Sequence, residues 1–225
     1  MQRVMPRKAF LALVQRFTAI QAVSPSSVRG QPKKTLEKIH GYLGRLRLDR
    51  LAGADSAHYQ RWLEAHTRHL QKKLGGRKKQ WGVARKAMNL FMRSCLYNTY
   101  LSREFHLTRF QRHMEIPLDS AVARGLKEES KKEGQVEFPL WQGLIGLDLE
   151  LSCEFQQAAE KRARKVGLPG RVFLDNYLWP KYRKSPGRVP RLRRVQPCFA
   201  SRQGRHRVSV EAQRLLHSLV PCPPT

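Results

Sequence analysis

The stretch Gln80–Arg93, QWGVARKAMNLFMR, decides how the chain reads. A glycine-containing turn carries Trp81. An apolar helix then begins near Val83 and continues as far as Ser102, and two adjacent cations, Arg85 and Lys86, stand in its first turn. A buried helix has no evident reason to open on two cations. Thirty-three residues after Lys86, within EIPLDSAVARGL, stands Asp119, two positions behind Pro117 at the start of another helix. Lys86 and Asp119 are either one site or two unrelated features.

Helical spacing continues on both sides. Upstream, residues 7–22 place Phe10, Leu13, Val14, Phe17 and Ile20 on one stripe, the pattern of an amphipathic helix. Pro25, Gly30 and Pro32 interrupt the chain before a second helix from Thr35 to Leu48. Asp55 or Ser56 can cap a third, from Ala57 to Leu74. Downstream, KEESKKEGQ reads as a solvated charged loop. A helix from about Leu149 to Val166 follows, ended by Gly167, Pro169 and Gly170. Periodicity leaves RVFLDNYLW open between a strand and a short helix. No strand-like alternation of useful length and no internal repeat occurs. The expected fold is all-α: a multi-helix globular domain over residues 1–180, with a basic, poorly ordered tail over 181–225 in which Pro, Gly and Arg dominate.

Charge is the compositional outlier. The 225 residues hold 44 Lys+Arg against 17 Asp+Glu, a formal +27. Residues 1–36 carry seven Lys/Arg and no acid, and residues 181–225 carry eleven against Glu211 alone. Such a field attracts polyanions, nucleic acid before anionic membrane. The segment QKKLGGRKKQ sets five cations around a glycine pair, so Arg77, Lys78 and Lys79 are the strongest candidates for phosphate contact. SPSSVRG is split evenly between a phosphate-contacting loop, with Arg29 as a donor, and a capped turn.

Other chemistry is thin. The four cysteines are far apart and form no CxxC, no run approaches the roughly 18 residues of a membrane span, and no clear signal cleavage site follows AFLALV. A reduced cytoplasm is the default location. No metal or cofactor is expected, and no oligomeric state is set. Asp148 and Glu150 read as helix-start residues. Asp175, an acid amid apolar residues, needs a partner if buried, and Arg171 is available. His66 and His69 lack a third ligand and read as a surface face, and Cys95 reads as core.

GVARKAMN resembles the hairpin-to-helix signature of the helix-hairpin-helix DNA glycosylase superfamily, in its endonuclease-III-type branch. Gly82, Val83, Arg85, Lys86 and Asn89 match a G-V-G-R-K-x-x-N run. Pro117, Asp119, Ser120 and Val122 match the P-x-D-[ST]-x-V segment that follows it. Ala84 stands where the pattern has its second glycine, and Trp81 where a proline is usual. The resemblance implies a DNA glycosylase, with or without AP lyase activity, acting at C1′ of a flipped nucleotide. It makes Lys86 the nucleophile and Asp119 the catalytic carboxylate, and DNA rather than RNA the partner, with nucleoid association following from it. Arg85 and Asn89 would support the site, Arg85 as the cation that depresses Lys86. Gly82 would belong to the phosphate-binding hairpin, and Trp81, Tyr97 and Tyr100 are candidates to wedge or stack. The alternative is a non-enzymatic, basic helical nucleic-acid-binding protein in which Lys86 and Asp119 are a solvated cation and a helix cap.

Overall fold

The computed structural model describes residues 5–51, 53–134 and 137–183. Every described regular element is a helix. In chain order they are α1 (Arg7–Ala22), α2 (Lys33–Leu43), α3 (Ser56–Lys73), α4 (Trp81–Tyr97), α5 (Thr99–Glu104), α6 (Ser120–Lys132), α7 (Gly143–Gly146), α8 (Leu149–Lys165) and α9 (Leu174–Tyr182), with single 3-10 turns between several of them. From residue 184 onward, the expected basic tail lies outside the described residues.

Caps set many of the boundaries. Asp55, Asn98, Asp119 and Asp148 each precede a helix and accept backbone N–H groups from its first turn. Asn98 is why the helix expected to run from Val83 to Ser102 is two: its side chain accepts from the N–H groups of Tyr100 and Leu101 and restarts the chain as α5. The second helix stops at Leu43 rather than Leu48, and a 3-10 turn covers Leu48–Leu51 instead. Residues 171–179 resolve as a 3-10 turn leading into α9. The charged segment read as a solvated loop is largely the C-terminal half of α6. Glu129 is buried there because Arg162, Lys181, Lys132 and the Tyr182 hydroxyl all converge on it. Those donors, the Tyr182 hydroxyl foremost, hold its carboxyl down to about 2.

The buried side chains fall into two clusters. One is built by α1 to α5 around α4, with Ile39, Leu43, Leu63, Leu70, Met88, Phe91 and Phe110 at its centre. The other is built by α6, α8 and α9, with Val122, Leu126, Phe155, Leu174 and Leu178. α4 serves both. At 100° per residue Arg85, Asn89, Lys86 and Arg93 share one arc of about 120° that also holds Gly82 and Tyr97. Val83, Ala87, Met88, Phe91 and Cys95 occupy the opposite side, inside the first cluster. The polar side of α4 thus looks away from the apolar centre of the first cluster: Lys86 towards α6, Arg93 towards α9, and Arg85 towards Glu115 and α3.

α1 turns the other way from its sequence pattern. Leu13, Phe17 and Ile20 are 54%, 60% and 53% exposed, whereas Gln15, Thr18, Ala19 and Ala22 are buried. The small Ala19 and Ala22 let α1 approach α4 closely. The Gln15 amide donates to the Leu43 and Leu46 carbonyls at 2.9 and 2.8 Å, satisfying the end of α2. Polar groups at the right spacing outweighed the larger apolar stripe.

Candidate functional site

Lys86 and Asp119 meet. Lys86 Nζ lies 3.4 Å from Asp119 Oδ2, its one side-chain partner among the described residues. The two oxygens of Asp119 have separate duties. Oδ1 caps α6, accepting from the N–H groups of Ala121 and Val122 at 2.9 and 3.0 Å, while Oδ2 faces the amine. The segment before Asp119 is pinned to α8: Gln156 exchanges two hydrogen bonds with the backbone of Ile116, at 3.0 and 2.9 Å. The carboxylate is thus placed by its own helix from one side and by α8 from the other.

Lys86 is only 8% exposed. Burial pushes its amine below the ordinary lysine value. Asp119 partly offsets this, and the positive charge of Arg93 adds to it. Arg93, two turns along the same face of α4, is therefore the cation that depresses Lys86. It replaces Arg85 in the role expected from sequence, and a search at i+7 from Lys86 could have found it. Arg93 pairs with the buried Asp175 of α9. This corrects the expected Arg171–Asp175 pair: Arg171 instead reaches the His113 carbonyl at 3.3 Å and Glu160 at 3.7 Å. One turn further, the Tyr97 hydroxyl accepts from Asn176 at 2.9 Å. Lys86, Arg93 and Tyr97 thus line the seam between the two clusters.

Arg85 and Asn89 belong to a different structure. Glu115, which carried no signal beyond an acid among apolar neighbours, is buried and receives both. Arg85 Nε and Nη2 grip its two oxygens at 2.8 and 2.7 Å, and the Asn89 amide donates to Oε2 at 2.8 Å. Arg85 Nη1 also reaches Glu64 at 3.0 Å and the Thr67 hydroxyl at 3.2 Å. Burial alone would raise the Glu115 carboxyl, but Arg85 and Asn89 reverse this and hold it below the usual range. A bidentate, fully desolvated pair of this kind ties α3 and α4 to the segment preceding α6.

Gly82 is not in a hairpin. It lies in the first turn of α4, and a Cβ there would stand 2.2 Å from the Leu144 carbonyl oxygen of α7. Trp81 is also buried, packed with the second cluster and 5.4 Å from the Arg85 guanidinium. The turn between α3 and α4 falls earlier, at Leu74–Gln80. Gly75 and Gly76 take φ of 116° and 72°, conformations that favour glycine. The Gln71 and Gln80 side chains bind the Arg77 carbonyl and N–H at 3.1 and 3.3 Å, and Gln80 also reaches the Leu74 carbonyl. This bracing leaves Arg77, Lys78 and Lys79 fully at the surface.

The remaining candidates disperse. Arg29 is exposed at the end of a 3-10 turn, where Ser24 bonds to Ser26 and Ser27 at 2.8 and 3.1 Å. Tyr100 is exposed and stacks edge-on against Phe10 of α1, away from Lys86. His66 bonds to Tyr42 rather than forming a metal site, Cys95 is core, and Asp148 caps α8. Among the described residues no cluster of three metal-binding side chains occurs, and no helix is long and apolar enough to cross a membrane. In comparisons with known proteins, no family model, no curated protein and no solved structure gives a significant match to this chain.

Proposed function

We propose that this chain is a DNA glycosylase, with or without AP lyase activity, acting at C1′ of a nucleotide turned out of the helix. The observation that carries the reading is the Lys86–Asp119 pair: a buried amine of lowered basicity, 3.4 Å from a carboxylate oxygen that its helix cap leaves free.

Each feature has a use in that chemistry. Breaking an N-glycosidic bond builds positive charge on the sugar, and a carboxylate beside C1′ stabilises it. A neutral Lys86 amine can attack C1′. The C1′–N bond then breaks with its electron pair leaving on the base, and the new ammonium gives up a proton to Asp119 Oδ2. Protonated Asp119 returns that proton to O4′ as the C1′–O4′ bond breaks, opening the ring to the protonated imine. If lyase activity follows, the Asp119 carboxylate takes the C2′ proton and the C3′–O bond breaks with its electron pair leaving on the phosphate. Without lyase activity, Asp119 takes the proton of an attacking water instead. Burial and Arg93 favour the unprotonated amine that attack requires. The net charge of +27 and the braced Arg77–Lys79 turn support a nucleic-acid partner, held by its phosphates.

The second reading is a binding protein in which Lys86–Asp119 merely joins the two clusters. Its support is the neighbouring Arg85–Glu115 and Arg93–Asp175 pairs, which tie α4 to the segment before α6 and to α9 by the same kind of contact. Incubation with duplexes carrying a panel of modified bases and an abasic site, with and without borohydride, separates the two. Base release, or a covalent adduct lost in Lys86→Ala, is expected. No release across the panel and no adduct, with Asp119→Asn indistinguishable from the parent, overturns the enzyme reading.

A further inference from the structure

A concave site lies outside the Lys86 seam. Between α2 and α3 runs a groove of about 520 Å3, lined by Lys38, Tyr42, Arg45 and Arg47 on one side and His66 and Lys73 on the other. Its floor is held in place: the Tyr42 hydroxyl is 2.6 Å from His66 Nδ1, and the His66 ring packs on Trp62 with centroids 4.6 Å apart. Burial of the Tyr42 phenol pushes it up to about 12, so the floor carries no negative charge near neutrality.

The rim is strongly cationic. Arg47 is bound to the exposed Asp49 at 2.6 Å, and Glu37 also lines the groove. Lys38, Arg45 and Lys73 are exposed and form no ion pair among the described residues. Three unpaired cations against the single carboxylate of Glu37 leave the rim net positive over a neutral polar floor, the electrostatics of an anion site. Lys73 ends α3 and leads directly into the turn that presents Arg77, Lys78 and Lys79. Exposed cations therefore follow one another along the chain from the rim of the groove, at Lys73, into the turn at Arg77–Lys79.

We propose that the groove between α2 and α3 seats phosphates of a nucleic-acid backbone, extending the contact that begins at the Arg77–Lys79 turn. A lone phosphate or mononucleotide shares the chemistry, but it has no use for the exposed cations that follow Lys73 along the chain beyond the cavity. The proposal rests on the groove and its charges, and it stands whether or not Lys86 is a nucleophile.

The test is binding of a fluorescein-labelled duplex by the full chain, followed by anisotropy over a series of KCl concentrations. The triple variant Lys38→Gln, Arg45→Gln, Lys73→Gln is compared with a control of equal charge change on the other cluster, Lys131→Gln, Lys161→Gln, Arg164→Gln. All six side chains are exposed, and circular dichroism verifies folding. The groove variant should lower the slope of log K against log salt by about 2 to 3, at about 0.9 per phosphate contact, while the control lowers it by less than about 1. Equal losses in the two variants would mean a diffuse field and overturn the proposal, as would an unchanged slope in the groove variant. Inorganic phosphate is titrated in parallel. Saturable phosphate binding that the groove variant loses, without any change in its DNA slope, would assign the groove to free phosphate and overturn the proposal as well.

Discussion

Asp119 divides its two oxygens between backbone and side chain: Oδ1 holds the first turn of α6, and Oδ2 faces Lys86 Nζ at 3.4 Å. The two duties can be separated by mutation. Asparagine is as good an N-cap as aspartate but carries no charge. Asp119→Asn should therefore keep the cap and lose only the partner of Lys86, while base release falls by about a hundredfold or more, the usual scale for losing a positioned acid–base group. Asp119→Ala should lose activity equally and also about 1 kcal/mol of stability through the missing cap. Thermal melts beside a release assay check both.

The pH dependence follows from the direction of the Lys86 shift. The neutral amine is the reactive form, and burial lowers its pKa below the ordinary 10.5. Borohydride trapping should rise with pH and level off below that value. Lys86→Arg keeps the charge at every accessible pH and should give no adduct at any of them. A trapping limb centred at or above pH 10.5 would contradict the assignment.

The Arg85–Glu115 pair should dominate local stability. Removing one partner leaves a buried charge uncompensated, so Glu115→Gln or Arg85→Met should cost about 3–5 kcal/mol in denaturant unfolding. The Glu115 carboxyl is held below its ordinary 4.5 in the folded state. A depressed acid contributes stability that is fully present above the unfolded value and is lost as pH falls towards the folded one. The parent should thus lose stability progressively below about pH 4.5, and Glu115→Gln should flatten that limb.

Two glycine–alanine exchanges test where the turn lies. Gly82→Ala puts a methyl 2.2 Å from a backbone oxygen of α7, which must move, and should destabilise the fold markedly. Ala84→Gly restores the glycine of the resembled pattern. Ala84 is in mid-turn of α4 and fully buried, so the change should cost roughly 1 kcal/mol or more through backbone entropy and lost packing. Chemical denaturation of both variants checks the pair. A stabilised Ala84→Gly would return the hairpin to Gly82–Ala84.

The orientation of α1 is equally accessible. Phe17→Ser, on the exposed stripe, should change stability by about 0.5 kcal/mol or less, while Ala19→Leu should cost about 1–3 kcal/mol by overpacking against α4. Reversed magnitudes in urea unfolding would restore the inward stripe.

Helix positions were largely legible because their causes are local. The Asp55 and Asp119 caps, the glycine stop after α3 and the apolar spacing within α4 each act over four or five residues. The failures have two causes, one tertiary and one local. On α1, the period of 3.6 was present but two faces competed, and Gln15 could win only because the carbonyls of Leu43 and Leu46 were there to receive it. Asn98 split a helix through its own cap, a signal hidden inside an apolar run.

The sequence by itself determined the all-α class of the described residues, most of their helix boundaries, the excess of positive charge and the choice of Lys86 and Asp119 as residues worth pairing. Only the tertiary structure decided what surrounds them. It brought Lys86 within 3.4 Å of Asp119, gave Arg93 to Asp175, and committed Arg85 and Asn89 to Glu115. The reason is physical. Backbone caps and helical period are set by neighbours in the chain. The state of a buried charge is set by which opposite charge distant elements deliver to it, and by how much water they remove on the way.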